Sequence, residues 1–449
     1  MDERMVCRTG IERGGEMIGT LIRWVSGVLI SFFVLVPFAS VAQPEKTMVN
    51  LDQLLEEAIQ NNPEILAAKK RWEVFKEKIP QARALPDPMF GFGIINLPTN
   101  FSFRDEDMTM KEFSISQMFP FYGKRKLMGE MAGKEAEAVA NEVQEKINRV
   151  IKEVKATYYE LSFNYRSTEI TQRNKEILES FVKIAETQYA VGMGIQQDVL
   201  KAHVEVSKMV DELIMLGQRR RALEAKLIAL LNRTPENAIG KPEEGTFKKL
   251  PIHMEELQKT AVETNPTLKG MKKMIEAKEK AYDLAKKEYY PDLEARFAYG
   301  QRDDGPGGMS RRDMLTGMVG INIPIFYKSK QERKVAEAKA DILNTEAQYR
   351  AMKNEILFMV TDMASMIERV ERQVALYKTG ILPQASLQVE SALSAYRVNK
   401  VDFMTLLDSR MTVYRYELEY QQALADYEKN VASLEVVVGK RLLAKEEKR

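Results

Sequence analysis

The chain has 449 residues, 29% of them charged and 45% hydrophobic, with a formal net charge of +2. That balance excludes a disordered chain and a polytopic helical membrane protein, and gives no electrostatic reason to expect nucleic acid as a partner. Beyond residue 43 no run approaches the roughly 18 consecutive apolar residues of a membrane helix, so any crossing of a bilayer must be made by strands.

An apolar core spans 24–38, preceded by Arg23 and followed by Ser40-Val41-Ala42, the small residues a signal peptidase reads. Residues 1–42 are therefore expected to be a signal peptide. Counted from Met1 the stretch before the core has no net positive charge, which makes Met17 the expected start. Cys7, the only cysteine, would leave with the signal, so no disulfide, thiolate metal site or lipid anchor is expected in the mature chain.

Residues 51–83 read as helix with Leu54, Leu55, Ala58 and Ile59 on one face and a break at Asn61-Asn62-Pro63. Next come two runs of period two. Phe90, Phe92 and Ile94 alternate with Gly91, Gly93 and Ile95, and Phe113, Ile115 and Phe119 alternate with mainly polar residues. From Lys124 to about Tyr189 there is no proline, which predicts a helical rod of roughly 100 Å. After Gly192-Met193-Gly194 a return helix is expected from Gln197 to about Leu231. The breaker-rich stretch 232–256 is expected to form a band around the middle of the rods.

The chain then repeats itself. Asn62-Pro63-Glu64-Ile65 recurs as Asn265-Pro266-Thr267-Leu268, and Phe119-Pro120-Phe121-Tyr122 as Ile323-Pro324-Ile325-Phe326, each about 200 residues on. So long a period is too great for a solenoid and points to duplication of a whole unit. The expected units are 43–245 and 246–449. In the second, helix is predicted over 257–288, strands at Leu293 to Tyr299 and at Leu315 to Ile323, an almost breaker-free helix from Lys328 to about Tyr396, and a return over 402–438.

The fold class that results is mainly α with a small β part: duplicated, long antiparallel helical hairpins and four strands of membrane-crossing length. Four strands alone would leave unpaired edges in lipid at several kcal/mol per group, so the edges must close against other copies. Three copies give twelve strands. The same pattern also fits a soluble sheet capping a helical stalk. Prolines 86, 88, 120, 291 and 324 mark the passages between strand and helix. Tyr122, Tyr289, Tyr290 and Tyr327, with Lys124 and Lys328, fall where a headgroup region would end.

These features, together with the turns that begin at Tyr189 and Tyr396, make the chain resemble the TolC-like outer membrane efflux proteins over essentially its whole mature length. The resemblance implies a homotrimer in the outer membrane of a Gram-negative bacterium. A twelve-stranded barrel would continue into a periplasmic α-barrel that docks on a periplasmic adaptor protein and an inner-membrane pump. It also implies that the far end of the tunnel is narrowed by an aspartate in a Leu-Asp-Ala-like sequence, here Leu406-Leu407-Asp408-Ser409. Asp408 is thus the first constriction candidate. A second family aspartate falls on Thr405, and Asp198 holds the related place in the first repeat.

Function is expected to be that of an efflux channel, a passive export duct. An outer membrane component of type I protein secretion shares the architecture, and a periplasmic coiled-coil scaffold is the alternative outside the membrane. Gly305-Pro306-Gly307-Gly308 lacks the Lys-Ser/Thr of a phosphate loop, and no catalytic constellation stands out, so neither enzyme activity, cofactor nor metal site is expected. The many methionines read mainly as packing, with soft-metal chemistry as the alternative.

Overall fold

The computed structural model describes residues 48–235, 239–243 and 247–442. The expected signal peptide, residues 1–42, lies outside the described residues.

The Asn-Pro motif fixes the first turn of the fold. Helix α1 (Leu51–Asn61) ends at Asn62, which then caps α2 (Pro63–Arg83) with proline in its first turn, where a missing N–H costs nothing. Strands β1 (Met89–Ile95) and β2 (Met110–Phe119) follow, then α3 (Lys124–Ala190), whose 67 residues give about 100 Å of helix, and the return α4 (Gln196–Leu231). The second half runs in the same order: α5 (Met254–Thr264), α6 (Pro266–Lys287), β3 (Leu293–Gln301), β4 (Met314–Ile321), α7 (Gln331–Leu376), α8 (Leu382–Arg397) and α9 (Phe403–Val438).

Two expectations need correction. The strand read as far as Ile323 stops at Ile321, and Asn322 instead donates its N–H to the carbonyl of Asp292 at 3.2 Å. The helix read as continuous from Lys328 begins at Gln331 and carries a π-turn at Tyr377–Ile381. There the Leu382 N–H reaches back five residues to Tyr377, which widens the helix just before Pro383, a residue with no N–H to give.

Buried positions along α3 include Val150, Thr157, Asn164, Thr171, Leu178 and Ala185, spaced by seven, and α7 buries Ile356, Val360, Ile367, Val370 and Val374 in a heptad pattern. A period of seven is that of helices wound round one another, so the rods hold by side-to-side seams. Three apolar clusters result. One joins Leu54, Leu55 and Ile65 to Val154, Leu161 and Leu227 in the first half, and one joins Leu257 and Leu268 to Ile356, Ile367 and Leu434 in the second. The third, with Leu178, Phe181, Ala202, Tyr396, Phe403 and Leu406, holds the two hairpins together near their turns.

The described part of 232–256 packs on these rods. Val49 bridges to Pro242, and the Tyr427 hydroxyl accepts from the Leu250 N–H at 2.8 Å and donates to the Lys248 carbonyl at 3.0 Å.

Candidate functional site

The four strands form one antiparallel sheet in the order β1-β2-β3-β4, leaving β1 and β4 as open edges. Register aligns Phe90 with Ile115, Phe92 with Phe113, Ile115 with Phe297, Phe113 with Tyr299, and Tyr299 with Leu315. Opposed residues share a face, so Phe, Ile, Leu and Val side chains gather on one side. They are open: Leu315 is 87% exposed and Val319 75%. The other side carries Gly91, Gly93, Ser114, Ser116, Gly300 and Thr316, the methionines of the sheet, and a charged pair, Arg296 donating to Glu112 at 2.5 Å and to the Ser114 hydroxyl at 3.3 Å. An open, continuous apolar face of this size marks a surface meant to be covered. Among the described residues no helix is long and apolar enough to cross a membrane.

The six residues read as a boundary belt gather where strands meet helices. Tyr122 is 90% exposed, and Tyr290, Tyr327 and Lys328 are also open to solvent. Tyr289 packs near Tyr327, and Tyr290 stacks on Phe121 with ring centroids 4.6 Å apart. Lys124 differs from the rest, being only 5% exposed. Its ammonium donates to Asp292 at 2.7 Å and to the Tyr290 carbonyl at 3.0 Å, while the Phe121 N–H donates to the same Asp292 oxygen at 2.7 Å. Asp292 was not visible as a site residue, because its partner lies in the other half of the chain.

At the far end of the rods the two turns share one geometry. After Tyr189 and after Tyr396 the third residue takes the left-handed region, Gly192 at φ 74° and Asn399 at φ 57°, and the next N–H reaches back to close the helix: Met193 to the Gln188 carbonyl, Lys400 to that of Ala395. Both are Schellman closures, for which glycine and asparagine are the suited residues. Asp402 then caps α9, accepting from the Thr405 N–H at 2.8 Å and its hydroxyl at 2.5 Å. Phe403, Leu406 and Leu407 turn inward, which leaves Met404, Thr405 and Asp408 on the open side, with Thr405 and Asp408 one turn apart.

Asp198 is placed differently. It lies half-buried in a cleft of about 910 Å³ between the two turns, with Lys201, Tyr396, Asp402 and Met404 also on its walls. Burial pushes its pKa up, and the nearby charge of Asp402 adds to the shift. The buried Tyr396 hydroxyl, with no hydrogen-bond partner among the described residues, has its pKa raised by burial and by Asp198. Sequence reasoning passed over Asp402, although an aspartate three residues before a threonine at a helix start is a legible cap.

Deeper in the seam Arg410 is buried and donates its Nε–H to Asn174 at 2.6 Å, while Arg173 pairs with Glu417 at 2.8 Å. Glu160 joins three helices: Arg219 of α4 donates to one oxygen at 2.5 Å and Lys429 of α9 to the other at 2.7 Å. Among the described residues no group of three His, Cys, Asp or Glu is placed to hold a metal ion.

A sheet apolar on one face, joined to helical rods too long for a globular core, is the architecture of a protein that meets a membrane through its strands. The model of the family "Outer membrane efflux protein" matches residues 54–233 and again 257–440, and the chain belongs to that family. It is an outer membrane efflux channel. No curated protein matches it by sequence. Among solved structures it is similar to the outer-membrane channel OprN, with 18% identity, a TM-score of 0.74, and 87% of this chain and 89% of that chain covered. It is also similar to the outer membrane protein VceC of Vibrio cholerae, with 17% identity over 88% and 97% of the two chains and a TM-score of 0.73. The CmeC channel of Campylobacter jejuni gives 14% identity over 88% and 87%, with a TM-score of 0.72. These likenesses bear out the mainly helical fold with its small antiparallel sheet.

Proposed function

We propose that three copies of this chain close into a passive duct through the outer membrane of a Gram-negative bacterium, with the helical rods in the periplasm. The observation that carries the reading is the sheet: one face is apolar and open, the other mixes small, polar and charged residues with methionine, and both edges are unpaired. Unpaired edges are untenable in lipid, whereas joining β4 of one copy to β1 of the next removes all of them and yields twelve strands. Residues 43–245 and 246–449 serve as two repeats of one unit, each supplying a hairpin of strands and a hairpin of helices.

The duct has no catalytic step. An inner-membrane pump supplies the driving force, reaching the helix turns through a periplasmic adaptor. Tyr122, Tyr289, Tyr290, Tyr327 and Lys328 stand at headgroup level, and Lys124 braces that level from inside. Three-fold symmetry turns Asp408, with Thr405 one turn before it, into a ring of carboxylates that narrows the tip and favours cations. Asp198 lines the approach to that ring.

The test is single-channel conductance of the purified protein in a planar bilayer beside the Asp408→Ala variant. A small, cation-selective conductance that rises in the variant supports both duct and ring. An unchanged conductance keeps the duct and removes Asp408 from the gate. A monomer that resists no SDS and conducts nothing overturns the reading.

A further inference from the structure

The five methionines of the sheet all stand on one face. The register sets Met89 beside Ser116, Met118 beside Glu294, Met314 beside Gly300 and Met318 beside Arg296, while Met110 lies two residues before Glu112 on the same side of β2. None stands among the Phe, Ile, Leu and Val side chains of the opposite face. As oil alone, methionine would serve equally well there, since it nearly matches leucine in volume. It is found instead among glycine, serine and charged residues, with Ile95 beside Met110, on the face that lines the bore once three sheets close with their apolar face to lipid. These side chains are accessible: Met89 is 67% exposed and Met318 50%.

Gly300 concentrates the pattern. The Met110 sulfur occupies the space that a side chain at position 300 would fill, leaning across β3 from one side, and Met314 is the strand neighbour of Gly300 on the other. Glu112 is the remaining neighbour, with its carboxylate held by Arg296. The glycine thus leaves room for two thioethers to approach one another beside an acidic group.

A thioether is neutral and polarisable. It ligates soft monovalent cations such as Cu(I) and Ag(I), and has little to offer Na⁺, K⁺, Mg²⁺ or Ca²⁺, which prefer oxygen. Several weak sites in succession suit conduction, because a cation must enter each site and also leave it. We propose that the bore face of the sheet is a thioether path for soft monovalent cations, which makes them a cargo of this duct. The proposal rests on the duct reading for its direction, and its test separates the two.

The probe is Ag⁺ added to the purified full-length protein, followed by hydrogen peroxide and peptide mapping. Coordination ties up one of the sulfur's two lone pairs and draws electron density from the other, so Met110, Met314 and Met318 oxidise several-fold more slowly with Ag⁺ than with K⁺. The exposed Met48, far from the sheet in sequence, serves as the control and keeps its rate. Unchanged rates at all five sheet methionines, or equal slowing at Met48, overturn the site.

In planar bilayers micromolar Ag⁺ reduces the K⁺ current of the native channel, and the Met110→Leu, Met314→Leu double variant, conservative in volume, restores it. A K⁺ current indifferent to Ag⁺ overturns the cargo assignment and leaves the duct. Protected methionines in a protein that forms no channel keep the site and overturn the duct, and with it the cargo assignment.

Discussion

Asn62 and Asn265 perform the same two tasks in the two halves of the chain. Asn62 accepts the N–H groups of Glu64 and Ile65 at 2.9 and 3.3 Å and donates to the Leu230 carbonyl at 2.9 Å. Asn265 accepts the Leu268 N–H at 3.1 Å and donates to the Val437 carbonyl at 2.8 Å. Each caps one helix with its oxygen and, with its nitrogen, ties the last turn of the return helix. Both are buried, so the unused partners could not turn to water. Asn265→Ala is expected to lower stability by about 1–3 kcal/mol, and Asn265→Asp, which keeps the cap but turns a buried carboxylate oxygen onto the Val437 carbonyl, by at least as much. Denaturant unfolding followed by circular dichroism checks the order.

The Lys124–Asp292 pair closes the junction of sheet and rods. Lys124→Met leaves the half-buried Asp292 carboxylate without its cation and is expected to cost about 2–3 kcal/mol. Asp292→Asn should cost less, because the amide oxygen still accepts from the Phe121 N–H. The double variant should recover part of the loss, and a double-mutant cycle measures the coupling.

Asp198 gives the tip a pH dependence. Its folded-state pKa is raised, first by burial and then by Asp402, so its ionised form is the costly one in the folded tip. The penalty is present above the raised pKa and is relieved as pH falls through it. Hydrogen exchange in the two turns, corrected for intrinsic rate, should therefore slow in mild acid, and Asp198→Asn should slow it at neutral pH as well. Faster opening of the variant at neutral pH would count against this.

Glu160 behaves in the opposite sense. Burial opposes its ionisation, but Lys429 and Arg219 outweigh burial and hold the carboxyl below its ordinary 4.5. The stability it contributes is present above the unfolded value and is lost as pH falls through the lowered folded one. Glu160→Gln should cost about 1–2 kcal/mol at neutral pH, since Arg219 remains partly hydrated, and should flatten the acid limb of the stability profile.

Much of the architecture was legible because its signals are local. Period two marks the strands, Asn-Pro marks the paired helix starts, and the lack of proline marks the rods. The π-turn was not legible. Gly380 and Pro383 are visible in the sequence, but a shift in hydrogen-bond register is settled by packing, here Tyr377 against Tyr416 with its hydroxyl on Glu419 at 2.9 Å. Lys124 was read by its place after the strand as a belt residue, whereas the structure buries it against an aspartate in the other half. Spacing along one segment carries no information about a partner that arrives from another.

The sheet has a temporal consequence as well. Its central seam pairs β2 with β3, residues that belong to different halves of the chain and are separated by the whole length of α3 and α4. Until β3 has emerged, the first hairpin has only itself to pair with, too few strands to stand alone. Chain order therefore works as a timer: the rods can coil while the membrane-seeking face is still unfinished, which delays insertion until the whole subunit is present to join its neighbours.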